Sequence, residues 1–198
     1  MAKRESTFAN MVLTLLLVAA AASFTLATVY NLTKEPIERA REAARQAAIA
    51  LVLPDFDELR SFNVKPVTGT DSLGFNVAYK DGEIVGVAVA TYTGMGYSGR
   101  IRAMVGFAPD ASIIDVVHLQ HAETPGLGDK IEKGKSDWSD QFQGFDPGRQ
   151  NLKLKNDGGE IDAITAATIT ARAYVDAIER AYQTFIEHQD NIINKEGE

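Results

Sequence analysis

The segment Asp162-Ala163-Ile164-Thr165-Ala166-Ala167-Thr168 leads directly into the last predicted helix of the chain, which spans about residues 168–193. A helix N-terminus offers unpaired N–H groups and the positive end of the helix dipole, so it suits a phosphate group. Thr165 and Thr168 place hydroxyl groups at this point, and Thr170 follows. Ordinary capping by threonine explains the same pattern, and position alone favours capping.

The last helix is predicted from apolar residues that recur at helical spacing. They are Ala171, Tyr174, Val175, Ile178, Ala181, Tyr182 and Phe185.

Two pairs of strands are predicted upstream. Residues 75–79 alternate in polarity, Asp81-Gly82 is a hairpin signal, and residues 84–91 form the return strand. Residues 101–107 and 113–119 form the second pair. The glycine-rich segment between the pairs, residues 93–99, predicts a loop or a bulged edge.

The N-terminal part predicts a membrane anchor. Residues 11–30 carry no charge, and a helix that crosses a hydrocarbon core of about 30 Å needs about 20 apolar residues. A cleaved signal peptide is the alternative, since Lys3 and Arg4 can form its basic region. We favour an uncleaved anchor because apolar residues continue to Val29. Basic residues lie on both sides of the span, so charge does not decide its orientation.

A second helix is predicted after the anchor. Pro36 suits a first helical turn, Thr33 is a candidate cap, and apolar residues recur at helical spacing from Ile37 to Leu51, so the predicted helix runs from Pro36 to Leu53. The predicted organisation is therefore a tail and transmembrane anchor at 1–31, a juxtamembrane helix at 32–54 and a domain at 55–198.

Composition excludes several classes of protein. The chain has 198 residues, a formal net charge of -7 and no cysteine. The acidic balance gives no broad field for nucleic acid. Without cysteine there are no disulfides, thiolate zinc sites or cysteine-ligated iron–sulfur clusters. His118, His121 and Glu123 are close in sequence, but residues i and i+3 of a strand point to opposite faces, so we predict no metal site.

Asp162 to Thr168 resembles the flavinylation motif of the FMN-binding domain shared by the G subunit of Rnf electron-transport complexes and the C subunit of the sodium-translocating NADH:quinone oxidoreductase. The family pattern is Asp, two variable residues, Ser or Thr, Gly, Ala, and Thr or Ser, and Ala166 stands where glycine is usual. Residues 123–132, Glu-Thr-Pro-Gly-Leu-Gly-Asp-Lys-Ile-Glu, also resemble the family, and with Ser136-Asp137-Trp138 they look more like Rnf G. The glycine-rich segment and the anchor fit as well.

The resemblance implies that Thr168 carries FMN through a phosphoester bond, which a flavin transferase installs with FAD as donor. Asp162 then belongs to the motif that the transferase recognises, and Thr165, Ala166 and Ala167 complete that motif. Further cofactor-binding candidates are Glu123, Thr124, Leu127, Gly128 and either Lys153 or Lys155. Tyr92, Met95 and Tyr97 are candidates to stack on the flavin ring. Because alanine is small, we expect Ala166 to be tolerated.

We therefore predict an α+β fold with a bent antiparallel sheet and flanking helices. The resemblance implies a single-pass membrane subunit of an Rnf-type ion-translocating ferredoxin:NAD oxidoreductase, which relays electrons and performs no catalysis alone. Its expected partners are a flavin-carrying D subunit, other membrane and redox subunits, and the flavin transferase. Its flavin domain is expected on the periplasmic or outer side of the cytoplasmic membrane.

Three alternatives stay open. One is the C subunit of the sodium-translocating NADH:quinone oxidoreductase. Another is a membrane-tethered scaffold module without flavin, whose Thr168 only caps a helix. The third is a stand-alone extracytoplasmic flavoprotein.

Overall fold

The computed structural model describes residues 7–193, so Lys3 and Arg4 and the end of the chain lie outside the described residues. The chain divides into two compact units, Met1–Ala44 and Arg45–Glu198. The helices and strands are α1 (Phe8–Val52), β1 (Glu58–Val64), β2 (Leu73–Lys80), β3 (Glu83–Gly96), β4 (Gly99–Phe107), β5 (Ile113–Gln120) and α2 (Thr168–Ile193). Short 3₁₀ turns lie at Gly128–Ile131, Trp138–Phe142 and Lys155–Asp157.

The first unit is formed by most of α1. Its most apolar window has a mean hydropathy of 2.2 and is 0% buried inside the protein, so this helix is long and apolar enough to cross a membrane. Hydroxyl groups in this segment bond to backbone carbonyls one turn back, for example Thr25 to Ala21 at 2.9 Å and Thr28 to Phe24 at 2.8 Å. Each of these hydroxyls is therefore satisfied without water.

The two helices predicted near the N-terminus form one continuous helix. Pro36 lies inside α1 and does not start a new helix. The prediction of Thr33 as a cap is wrong, because its hydroxyl bonds to the carbonyl of Val29 at 2.8 Å within the helix. Proline removes one helical hydrogen bond, and the turns on either side keep the helix intact here. The domain boundaries drawn from the sequence stay a prediction.

The last turns of α1 belong to the core of the second unit. Ala48, Ile49 and Val52 are buried against one face of the sheet, in a cluster that includes Met104. The helix comes so close to β4 that a Cβ at Gly106 would lie 1.9 Å from the carbonyl oxygen of Val52. Glycine is therefore required at this crossing.

The sheet is a five-stranded antiparallel meander in the order β1-β2-β3-β4-β5. Register shifts in three of its four strand pairs bend the strands. α2 covers the face opposite the last turns of α1 and buries the larger core, in which the rings of Phe107 and Phe185 stack 5.1 Å apart. The Thr91 hydroxyl in β3 also bonds to the carbonyl of Ala177 in α2 at 2.8 Å. The predicted α+β class is confirmed.

Two strand predictions need correction. The glycine-rich segment is mostly strand, because β3 runs to Gly96 and β4 begins at Gly99, with a register shift between Thr93 and Gly96. The bulged edge was therefore the right alternative, and the loop was wrong. β1 was not predicted at all, because most of its side chains are exposed and its alternation of apolar and polar residues is interrupted at Arg60-Ser61.

Candidate functional site

Thr168 is the first residue of α2, where the prediction placed it. Its side chain is partly exposed, and within residues 7–193 its hydroxyl makes no hydrogen bond. A capping threonine precedes the helix and accepts an N–H bond from its first turn, so Thr168 does not act as a cap. Thr170, in contrast, is 2% exposed and donates its hydroxyl to Glu123. Of these two threonines, only Thr168 presents a free hydroxyl.

The turn before α2 contains a left-handed residue. Ala166 has a φ of 64°, and the next residue, Ala167, donates its N–H to the carbonyl of Ile164 at 3.0 Å. This conformation is unfavourable for an L-residue with a Cβ and free of cost for glycine. The backbone at Ala166 therefore has a conformation that favours glycine, the residue that the resembled motif has at this position.

Three contacts hold Asp162 in place. The backbone N–H of Asp162 donates to Gln141 Oε1 at 2.7 Å, and the indole N–H of Trp138 donates to the Asp162 carbonyl at 2.6 Å. Its carboxylate pairs with the Lys155 ammonium at 2.7 Å. Lys155 is therefore already engaged by the motif. Lys153 is exposed. The pKa of the Asp157 carboxyl is lowered mainly by the hydrogen bond from Arg172, and the charge of Lys153 contributes to the same shift.

A pocket of about 380 Å³ opens beside this segment, and its volume lies in the range of small-molecule sites. The ring of Trp138 forms part of the wall and is fixed from behind by edge-on packing against Tyr174, with ring centres 5.7 Å apart. The lining residues are Lys130, Ser136, Asp137, Trp138, Gln141, Asp162, Ala163, Ile164 and Thr165. The structure thus brings the Asp162 end of the motif together with the Ser136-Asp137-Trp138 segment.

Glu123 connects its own loop with the β3–β4 turn and with the first turn of α2. Its carboxylate is buried, with the residue 5% exposed. Oε1 accepts the N–H of Ser98 at 2.9 Å, and Oε2 accepts the Thr170 hydroxyl at 2.5 Å. Both carboxylate oxygens therefore face the protein, and they tie the β3–β4 turn to the first turn of α2.

The loop that follows Glu123 is tightly folded. The carbonyl of Thr124 accepts the N–H groups of Leu127 at 3.2 Å and Gly128 at 2.9 Å. A Cβ at Gly128 would lie 2.8 Å from the Cβ of Glu123, so only glycine fits there. The side chain of Leu127 is left exposed. The loop therefore leaves two apolar side chains, those of Pro125 and Leu127, at the surface.

The three residues predicted as stacking candidates, Tyr92, Met95 and Tyr97, fall into two groups. Met95 and Tyr97 are exposed at the β3–β4 turn, which Glu123 ties to the site. Tyr92 is engaged by the protein instead, with the guanidinium groups of Arg100 and Arg180 at 4.1 and 5.1 Å from its ring centre. Burial raises the pKa of the Tyr92 hydroxyl, but the backbone N–H groups of Asp71 and Thr70 donate to its oxygen, and the net shift of the pKa is downward. Tyr92 is therefore not free to stack on a ligand.

His118 and His121 lie close together, which the sequence analysis did not predict. β5 ends at Gln120, so His121 lies beyond the strand and turns back. His121 Nε2 is 2.9 Å from Glu132 Oε1, and His118 Nε2 is 3.8 Å from Glu132 Oε2. Burial lowers the pKa of the His118 imidazole, the Glu132 carboxylate raises it and His121 lowers it, and the net shift is downward.

This histidine cluster has a hydrogen-bond pattern that disfavours a metal. The N–H of Glu123 donates to His121 Nδ1 at 3.1 Å. A neutral ring then carries its proton on Nε2, which faces Glu132. A metal-binding histidine instead donates its second ring N–H and keeps the other nitrogen free. Glu123, which the sequence grouped with these histidines, contributes its backbone and not its carboxylate.

Comparison with known proteins defines the class. A family model described as an FMN-binding domain matches residues 96–183, which contain the Glu123 loop and the motif before α2. Together with the apolar helix α1, this makes the chain a membrane protein with an FMN-binding domain.

Relatives at the level of whole chains define the particular family. The chain is 34% identical over 180 residues to the G subunit of an ion-translocating oxidoreductase complex from Shewanella piezotolerans, covering 85% of each chain. It is 36% identical over 175 residues to the corresponding protein of Cereibacter sphaeroides, covering 85% of this chain and 80% of the relative. It is 32% identical over 180 residues to that of Vibrio cholerae, covering 86% of each. The chain belongs to the family of G subunits of ion-translocating oxidoreductase complexes, the Rnf family.

Proposed function

We propose that this chain is the electron-relay subunit of an Rnf-type ion-translocating ferredoxin:NAD oxidoreductase, with FMN attached to Thr168 through a phosphoester. The observation that carries the proposal is the Thr168 hydroxyl, which is partly exposed, free of hydrogen bonds within the described chain, and placed at the start of a 26-residue helix. FMN supplies the electron-carrying chemistry when bound. The chain supplies its attachment and position.

Attachment requires a nucleophilic hydroxyl and a donor. The Thr168 Oγ–P bond forms, the P–O bond that joins the FMN and AMP halves of FAD breaks, the hydroxyl proton is lost and AMP leaves. The positive end of the α2 dipole stabilises a phosphate at this position. Thr170 lacks the accessibility that this reaction needs, and Thr168→Ser, which keeps a hydroxyl at the same position, is the matched control.

The pocket beside Asp162 includes Thr165, three residues before the proposed attachment point, and the loop after Glu123 packs at Gly128 close to the Thr170 hydroxyl. In the proposal, Trp138 and Leu127 contact the flavin, and Lys155 holds Asp162 in the motif. Glu123, whose carboxylate faces the protein, supports the site together with the buried Gly128.

The proposed setting is the cytoplasmic membrane, with α1 as a single-pass anchor and the flavin domain on the periplasmic or outer side. A covalent link suits that side, because lost FMN has no cytoplasmic pool to replace it. The proposed partners are the flavin-carrying D subunit, the other membrane and redox subunits, and the flavin transferase. The names of the relatives favour this complex over the sodium-translocating NADH:quinone oxidoreductase. Purification of the tagged chain from its native membrane identifies the partner subunits directly.

The test of attachment is co-expression of the full chain with a flavin transferase. After denaturation, the wild type should show flavin fluorescence in the gel and an intact mass increased by one FMN ester. Thr168→Val should lose both signals, because it keeps the size and removes the hydroxyl, while Thr168→Ser, which keeps a hydroxyl at the same position, should retain them. Denaturation-resistant flavin on Thr168→Val would place attachment elsewhere. Wild type without flavin, when the transferase is active on another target, would favour a scaffold role.

A further inference from the structure

We propose that His121 is a positioning residue for the flavin site, and that it acts only as the neutral ring with its proton on Nε2. It does so by accepting a hydrogen bond from the backbone N–H of Glu123. The proposal relies on the proposed function for the identity of the ligand. The hydrogen-bond network itself does not depend on it.

The neighbours of His121 determine which ring nitrogen carries the proton. Nδ1 faces an N–H donor at 3.1 Å and must present a lone pair. Nε2 faces the Glu132 carboxylate at 2.9 Å and must present a proton. Only one neutral tautomer satisfies both neighbours. The doubly protonated ring would point a proton at the Glu123 N–H and break that bond.

The effect of His121 reaches the site through one residue. Glu123, whose backbone His121 holds, binds Ser98 and Thr170 with its two carboxylate oxygens. Thr170 lies in the first turn of α2, next to the proposed attachment residue Thr168. The His121 side chain is only 10% exposed, so it shapes the site without touching the ligand.

Three groups of the described residues lie against the His121 ring. Glu132 Oε1 is 2.9 Å from Nε2, the Glu123 N–H is 3.1 Å from Nδ1, and the ring of His118 lies edge-on at 5.3 Å between centres. A proton added at Nδ1 would remove the acceptor of the Glu123 N–H.

Two substitutions distinguish the contribution of the Nδ1 hydrogen bond from that of the Nε2 hydrogen bond. In His121→Asn, the amide oxygen takes the position of Nδ1 and can still accept from the Glu123 N–H, while the contact with Glu132 is lost. In His121→Gln, the amide nitrogen can still donate to Glu132, but the acceptor near Glu123 is lost. His118→Gln is the control, because His118 belongs to the same cluster and has no hydrogen bond to Glu123.

The first measurement needs no flavin. The full chain in detergent, isotopically labelled at histidine nitrogen, contains only three histidines, so their ring nitrogens can be assigned with the substituted chains. His121 should show an unprotonated Nδ1 and a protonated Nε2 at neutral pH. A proton on Nδ1 at neutral pH would overturn the proposal.

The second measurement compares hydrogen exchange of the Glu123 amide and the midpoint potential of the attached flavin among the wild type and the three variants. Loss of one hydrogen bond should speed local exchange about tenfold in His121→Gln. His121→Asn should keep slow exchange and the wild-type potential. His118→Gln should behave as wild type.

Equal behaviour of His121→Asn and His121→Gln would overturn the positioning role. If wild type carries no flavin, the proposed function fails, and amide exchange in the flavin-free chains still decides the role of His121.

Discussion

The left-handed backbone at Ala166 predicts that Ala166→Gly stabilises the protein. A residue with a Cβ in this conformation costs about 1–2 kcal/mol. Glycine removes that cost but adds freedom to the unfolded chain, which costs about 0.4–1 kcal/mol. Ala166 is exposed, so loss of its methyl group leaves no cavity. The net gain in the free energy of unfolding should be about 0.5–1 kcal/mol.

The assay is thermal unfolding of the full chain in detergent. For a domain of this size, the gain corresponds to a rise in Tm of about 1–4 °C. Ala163→Gly is the matched control, because Ala163 belongs to the same segment and is not among the residues with positive φ. That control should lower the Tm for two reasons. Glycine adds freedom to the unfolded chain without relieving a positive φ, and the lost methyl group packs against the core.

A fall in Tm for Ala166→Gly as large as that for Ala163→Gly would refute the reasoning, because it would mean that residue 166 carries no backbone strain. The same substitution restores the usual motif residue. We therefore expect flavin attachment to Ala166→Gly to be at least as fast as to the wild type under a limiting amount of transferase.

Two further predictions concern the interior of the domain. Thr170→Val should lower the free energy of unfolding by about 1–3 kcal/mol, because a buried oxygen of Glu123 loses its donor; Thr170→Ser should retain most of the stability in the same denaturation assay. A chain that begins at Arg45 should fold in the absence of detergent with cooperative thermal unfolding. A chain that begins at residue 55 should lose cooperative unfolding, because the α1 residues that cover Met104 are missing. Equal melting of the two chains would show that the end of α1 is dispensable.

Features that depend on local sequence were predicted well. The apolar spacing of α2 placed its start and end at Thr168 and Ile193, as the structure has them. The hairpin at Asp81-Gly82 also follows from local chemistry, since both residues have positive φ, at 52° and 82°. Such features depend on propensity and periodicity, which a single sequence contains.

Features that depend on tertiary contacts were missed. The role of Glu123 as an internal connection requires knowing that Ser98 and Thr170 lie beside it. The pairing of His121 with Glu132 depends on how the chain turns after β5. The size argument for Ala166 overlooked its backbone angle, although the usual glycine at this position of the motif was the signal that could have revealed it.

The two contacts of the Glu123 carboxylate have a consequence for the order of folding. Its partners lie 25 and 47 residues away in the sequence, and contacts of long sequence separation form only after distant segments have docked. The contiguous motif from Asp162 to Thr168 exists in every chain as soon as it is synthesised, whereas the surroundings of Thr168 are completed only when the sheet and α2 have joined. A mutation that slows this late step should therefore delay maturation of the site even when it leaves the motif and the final stability unchanged.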